Sequence, residues 1–287
     1  MLLYEHDGID KIEMIGNILK MRSALGDAGQ PVQYQLPIGD SLLPMNEIIG
    51  KTIKLNYQSE IHCIACGRKT SKSFGQGHCF PCFRSLASCD MCIMKPETCH
   101  YAEGTCRQPE WGDENCFIPH YVYLANSSGI KVGITRGTQI PTRWIDQGAA
   151  QALPVFKVAN RLQSGLLEVV LKQHVSDRTD WRKMLKADAA PMDLKSIRDE
   201  LLDNCSAEIE VIKSEQGEAA IETVDQAVVD IKFPVSEYPE KIKSLNFDKQ
   251  PEIEGGLMGI KGQYLILDTG VLNIRKFSGY NIEVDFI

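Results

Sequence analysis

The sequence predicts an α+β chain in three parts: a zinc-ribbon-like module, then a small sheet with flanking helices, and a β-rich domain drawn from the two chain ends. Nine of the ten cysteines fall between Cys63 and Cys116, a stretch with no long apolar periodicity. Helical apolar spacing is concentrated in the middle of the chain, around Leu167 to Val175,. Period-two alternation bounded by turn residues occupies both ends.

In chain order, residues 1–60 open with an amphipathic stretch and continue as PVQYQLPIGDSLLP and KTIKLNYQSEI. There Ile53, Leu55 and Tyr57 alternate as in a half-buried strand. Residues 61–120, rich in Gly, Pro, Cys and His, read as a module in which metal replaces a hydrophobic core. From 121 to 204 the run YVYLANSSGIKVGIT predicts a hairpin about a Ser-Ser-Gly turn,. A helix over 164–186 should follow, capped by Ser164, and then a second around DLKSIRDELLDN,. Residues 205–287 read as strands again, from AEIEVIKSE through AVVDIKFPV to GQYLILDTGVLNIRKFSGYNIEVDF. Both end segments lack a second layer, which predicts that 205–287 packs with 1–60.

Composition narrows the function classes. The 287 residues are 43% hydrophobic and 24% charged, the balance of folded globular chains and not of disorder,. No apolar stretch approaches the ~18–20 residues that span a bilayer. The opening MLLYEHDGIDKIEM carries acids where a signal peptide has a basic region, so a cytoplasmic protein without a membrane partner is expected,. The net charge of −7 argues against a wholly electrostatic nucleic-acid binder,. That average conceals a contrast: residues 121–190 hold ten Lys/Arg against five Asp/Glu, and 191–287 hold ten against nineteen. A polyanion, DNA or RNA, should meet the former.

Clustered Cys-x-x-Cys pairs in a reducing compartment indicate metal rather than disulfides. Cys63-x-x-Cys66 and Cys79-x-x-Cys82 form two knuckles with the spacing of a zinc ribbon, and Gly67, Gly75 and Gly77 supply the tight turns,. Cys89, Cys92, Cys99 and Cys106 make a second set, with Cys116, His100 and His120 as alternatives for its fourth ligand. Four cysteines also hold iron–sulfur centres. Two structural Zn²⁺ ions are the expectation for such regular knuckles. His62 and His78 adjoin ligand cysteines and either replace one or bind nothing. Cys205, alone on an apparent helix, reads as a buried apolar residue. Four protein ligands leave a zinc no open position, so chemistry must lie elsewhere.

Tyr121-Val-Tyr123-Leu, Lys131-Val-Gly133-Ile-Thr135, Arg143, Leu167-Glu168, His174 and Trp181 together resemble the GIY-YIG nuclease superfamily, in its short phage and bacterial subgroup. The strings KSFGQGHCFPCF, CDMC, WIDQGA and DRTDW are similar to a bacterial zinc-rich family of unknown function. The nuclease resemblance implies a GIY-YIG-like three-stranded sheet that hydrolyses a phosphodiester. In it Tyr121 or Tyr123 helps to activate water, Arg143 neutralises the scissile phosphate, and Glu168 holds Mg²⁺ or Mn²⁺. Lys131 stands at the second motif's tyrosine, and His120 where a glycine is usual. Arg143 follows Gly133 by ten residues, so a short insertion lies around Gln139 to Pro141. Two functions follow from this reading: a metal-dependent endonuclease, or a catalytically inactive zinc protein that binds nucleic acid or a protein partner.

Overall fold

A computed structural model describes residues 12–27, 29–176 and 178–286. The beginning of the amphipathic opening stretch lies outside them. The first part of the chain carries strands β1 (Ile12–Asn17), β2 (Arg22–Ala24), β3 (Gln33–Ile38), β4 (Ser41–Pro44), β5 (Thr52–His62) and β6 (Lys69–Thr70). Helix α1 (Phe80–Ser85) follows, then α2 (Pro109–Asn115). Next come β7 (His120–Asn126), β8 (Ile130–Arg136), α3 (Thr142–Asp146), β9 (Gln151–Val158) and α4 (Arg161–Leu171). Helices α5 (Trp181–Met184), α6 (Leu194–Asn204) and α7 (Ser206–Gln216) precede β10 (Ile221–Thr223) and β11 (Val229–Asp230). The chain closes with β12 (Glu252–Lys261), β13 (Tyr264–Leu267), β14 (Gly270–Asn273) and β15 (Tyr280–Phe286).

These elements form two compact units. The first comprises residues up to Arg84, Leu185–Ala187 and Lys232 onward; the second comprises Ser85–Met184 and Asp188–Ile231. The division falls inside the 61–120 stretch, between the two cysteine sets. It also parts 205–231 from the strands that follow.

In the first unit the chain ends share one antiparallel sheet, ordered β1-β15-β5-β12-β13-β14, with β6 on β5. Strand β5 sits between β15, where Leu55 opposes Val284, and β12, where Leu55 opposes Ile253. The alternation read from the sequence places Ile53, Leu55, Ile282 and Val284 in the core,. A buried amide completes the union of the ends: Gln263 accepts from Met21 N at 2.8 Å and donates to Met21 O at 3.0 Å. Strands β2-β3-β4 form a separate small sheet.

The second unit is built on a sheet ordered β10-β9-β7-β8, with β11 also on β9. The hairpin falls on the Ser-Ser-Gly turn, and Tyr123 opposes Gly133 across it. One face of the sheet carries Val122, Leu124, Val132 and Ile134, packed on Leu167 and Leu171 of α4 and on Leu201, Cys205 and Ile209. Helix α4 begins three residues before the expected cap, because Asn160 Oδ1 accepts from Gln163 N at 3.0 Å and the Gln163 side chain returns the bond,. Ser164 is instead buried inside the helix, which ends at Leu171 rather than running on to 186. Asp193 caps α6 as a helix start at that point should be capped,. Residues 207–215, expected as a strand, are helical. The exposed Val211 mimicked alternation, while Ile209 and Ile212, one helical turn apart, are the residues actually buried,. Among the described residues no helix is long and apolar enough to cross a membrane.

Candidate functional site

Strand β5 delivers Cys63 directly to the first knuckle. Gly67 takes a left-handed φ of 70° and its N–H donates to Cys63 O at 2.8 Å, closing the turn,. A two-way bridge between Phe74 and His78 makes the second turn, and α1 then carries Cys82. The four sulfurs of Cys63, Cys66, Cys79 and Cys82 lie within 4.8 Å of one another. Ligands at ~2.3 Å in a tetrahedron stand ~3.8 Å apart, and Cys66 and Cys79 are 3.8 Å apart. Burial opposes ionisation of Cys63. Even so, the N–H groups of Cys79, Ala65 and Cys66 lower its thiol to about 6. This donor set fits a structural zinc ion.

The second set is arranged differently. Cys92, Cys99, Cys106 and Cys116 line one cavity with the aromatic rings of Trp111 and Phe117, and Cys89 is not among the lining residues. Among the described residues the other close group of metal-type ligand atoms is Asp90, Cys92 and His100, so Cys89, Cys92, Cys99 and Cys106 do not close a second tetrahedron of the first kind. Helix α2 turns residues 109–115 back over the segment, and Gly112, against the ring of Tyr101, sets Cys116 down beside the earlier cysteines. Asp90 has protein partners: it accepts from Arg107 Nε at 2.6 Å and from Cys92 N at 3.3 Å. Burial pushes the Cys92 thiol up to about 11, with Asp90, Cys99 and Cys116 adding to the effect.

On the hairpin, Tyr121 and Tyr123 share a face with Lys131, Gly133 and Thr135, opposite the face on α4,. Tyr123 is fully buried, and its hydroxyl donates to Gln147 Oε1 at 2.9 Å. Burial raises the Tyr123 phenol above its ordinary value; Arg143, by charge and by hydrogen bond, lowers it, and Glu168 raises it again. Arg143 therefore reaches the Tyr123 phenol, and the charge of Glu168 is felt there without a contact. Arg143 comes from α3, held by Trp144, whose buried indole meets Tyr123 edge-on at 6.0 Å. Gly133 permits the approach, since a Cβ there would lie 2.7 Å from the Tyr123 hydroxyl,. Tyr121 is half-buried beside Gly137. Lys131 is 4% exposed, and its strand bridges Ser176. His174 is exposed, and Trp181 lies under Arg182 at 4.4 Å. Gln147 was not anticipated; its place after α3 gives it no local sequence signal.

His120, a spare ligand in the sequence reading, is buried and neutral. Its Nδ1 donates to Ile118 O at 2.7 Å, which leaves Nε2 as an acceptor without a protein partner. Burial, with Arg161 and Arg136 adding, lowers its pKa to about 4. An unfolded histidine takes a proton near pH 6.5. Stability from this residue is thus complete above pH 6.5 and is lost as pH falls toward 4, by about 3 kcal/mol in all,. Urea unfolding of wild type and His120→Gln at pH 7 and pH 4.5 should show a smaller acid loss in the variant.

A family model described as a protein of unknown function (DUF2797) matches residues 50–282. No curated protein and no solved structure matches the chain.

Proposed function

This chain belongs to the DUF2797 family, and for it we propose the activity of a metal-dependent nucleic-acid phosphodiesterase of the GIY-YIG kind, carrying a structural zinc. The observation that carries the reading is Arg143 held at the Tyr123 phenol on the motif-bearing hairpin, where the charge of Glu168 also acts. The net positive charge of residues 121–190 supports it, because phosphate contacts position a nucleic acid before any chemistry,. Arg143 neutralises charge that grows on the scissile phosphate. Tyr121, partly open to solvent on the same strand face, orients the attacking water, and Tyr123 holds Arg143.

Glu168 suits a divalent cation. It is a half-exposed carboxylate on α4, and Mg²⁺ is characteristically held by one or two carboxylates plus waters,. When bound, the ion supplies Lewis-acid stabilisation of phosphoryl oxygens.

The test is cleavage of labelled single- and double-stranded DNA and RNA with Mg²⁺ or Mn²⁺. Wild type should cleave, and Glu168→Ala should cleave ~10²-fold more slowly with salt-sensitive binding retained. The second reading, an inactive binding module, is favoured by the buried Lys131 at the second motif's tyrosine. It predicts binding by both proteins and cleavage by neither.

A further inference from the structure

We propose that Asp90, Cys92 and His100 hold a second, single zinc ion, with a sulfur of the adjoining cysteines as its fourth ligand. One ligand atom from each of the three, a carboxylate oxygen, a sulfur and an imidazole nitrogen, lies within 4.8 Å of the other two. All three residues line one cavity of about 20 Å³, which has room for one ion and not for an ion with a bound water,. Cys99, Cys106 and Cys116 line the same cavity, so a thiolate and not a water completes the four,.

The tautomer of His100 makes this a cation site. Thr105 Oγ1 gives its one proton to His100 O at 3.2 Å, so toward His100 Nδ1, at 2.7 Å, it accepts,. Nδ1 therefore bears the ring proton, and Nε2 presents a lone pair. That lone pair faces Asp90 Oδ1 at 3.6 Å, acceptor against acceptor, and the two side chains are only 27% and 12% exposed. With so little water to screen it, the repulsion persists unless a cation stands between the two atoms. A proton on Nε2 would draw the pair to ~2.7–2.9 Å, the length of a charged N–H···O bond. Nitrogen and oxygen ligands at ~2.0–2.1 Å from a tetrahedral zinc stand ~3.3 Å apart, nearer the spacing observed.

The neighbouring atoms are tied in the way metal ligands require. Asp90 Oδ2 accepts from Arg107 Nε at 2.6 Å, which leaves Oδ1 to face the ion. Oδ1 also accepts from Cys92 N at 3.3 Å, so carboxylate and thiol are fixed to each other. Thr105 does the same for the His100 ring. Such outer partners orient ligands, and Zn²⁺ takes sulfur, nitrogen and oxygen in one set. Asp90 thus takes the place that Cys-x-x-Cys spacing gives to Cys89, which does not line the cavity.

The full chain, purified without a metal-affinity tag and desalted after exposure to excess zinc, should hold ~2 zinc. X-ray absorption at the zinc edge should show nitrogen or oxygen at ~2.0–2.1 Å beside sulfur at ~2.3 Å. His100→Ala and Asp90→Ala should each fall to ~1 zinc, and Cys89→Ser should keep ~2. Thr105→Val changes an exposed side chain and should keep the fold, yet weaken zinc at this site ~10–100-fold in chelator competition. The wild-type absorption spectrum decides the matter even where a variant fails to fold. A single zinc in wild type, an all-sulfur shell, or iron in place of the second zinc would overturn the proposal. So would ~2 zinc kept by both His100→Ala and Asp90→Ala, or unchanged affinity in Thr105→Val.

Discussion

Cys79→Ser should release the zinc of the first site and unfold residues 63–84 while the sheet that carries β5 stays intact. In the stretch from Cys63 to Arg84 the buried residues are Cys63, Gly77 and Cys79, so burial of apolar side chains does not hold it. The rings of Phe74, Phe80 and Phe83 touch at 5.3 and 5.9 Å but remain partly in water. A structural zinc contributes an apparent ~10–16 kcal/mol at neutral pH, far beyond what those rings offer. The turn bonds from Gly67 N to Cys63 O and from Ile64 N to Gly77 O then have nothing to hold them. Hydrogen exchange should show protection lost over 63–84 and kept in β5, whose partners are β12 and β15. Cys205→Ala, in the hydrophobic core of the other unit, should leave zinc content unchanged.

Arg143→Ala should lower phosphodiester cleavage by ~10²–10³ with little change in nucleic-acid binding. Arg143→Lys should restore little, because a lysine point charge lacks the planar fork that meets two oxygens at once. Tyr123→Phe should act through the arginine, since the phenol is buried and reaches Arg143 and Gln147 rather than solvent. The double variant should therefore lose no more activity than Arg143→Ala alone, a non-additivity that marks two residues acting as one. Tyr121→Phe removes a hydroxyl from a half-exposed position, and its loss should add to that of Arg143. Single-turnover cleavage by wild type and each of these variants separates these outcomes.

What the sequence made legible was local. The first knuckles, the hairpin turn at Ser127 to Gly129 and the helix around DLKSIRDELLDN are each specified by residues within a few positions of one another. The chain-end sheet was legible as alternation in search of partners. Elements failed where two local patterns competed. Asn160 and Ser164 both qualify as caps, and the reciprocal bond to Gln163 decides for Asn160. Ile209 and Val211 fit a strand until Ile212 fixes a helical face. That Cys116 shares a cavity with Cys92, Cys99 and Cys106 had no spacing signal, because it depends on where α2 sets the chain. That Arg143 acts on the Tyr123 phenol is likewise a fact of tertiary structure.

The interleaving of the two units has a consequence on the ribosome. Strand β5 emerges well before both of its long neighbours, β12 and β15, which come only after the whole intervening unit. At ~5–20 residues per second the wait is on the order of 10–40 s. During that interval Ile53 and Leu55 stand on a strand with both edges open, the condition under which nascent chains pair with one another,. The unit from Ser85 to Ile231 needs none of the missing strands for its own sheet, and so it finishes first. The sheet that holds β5 is thus completed only after the intervening unit has formed, and the arrival of β12 and β15 is the step that closes its open edges.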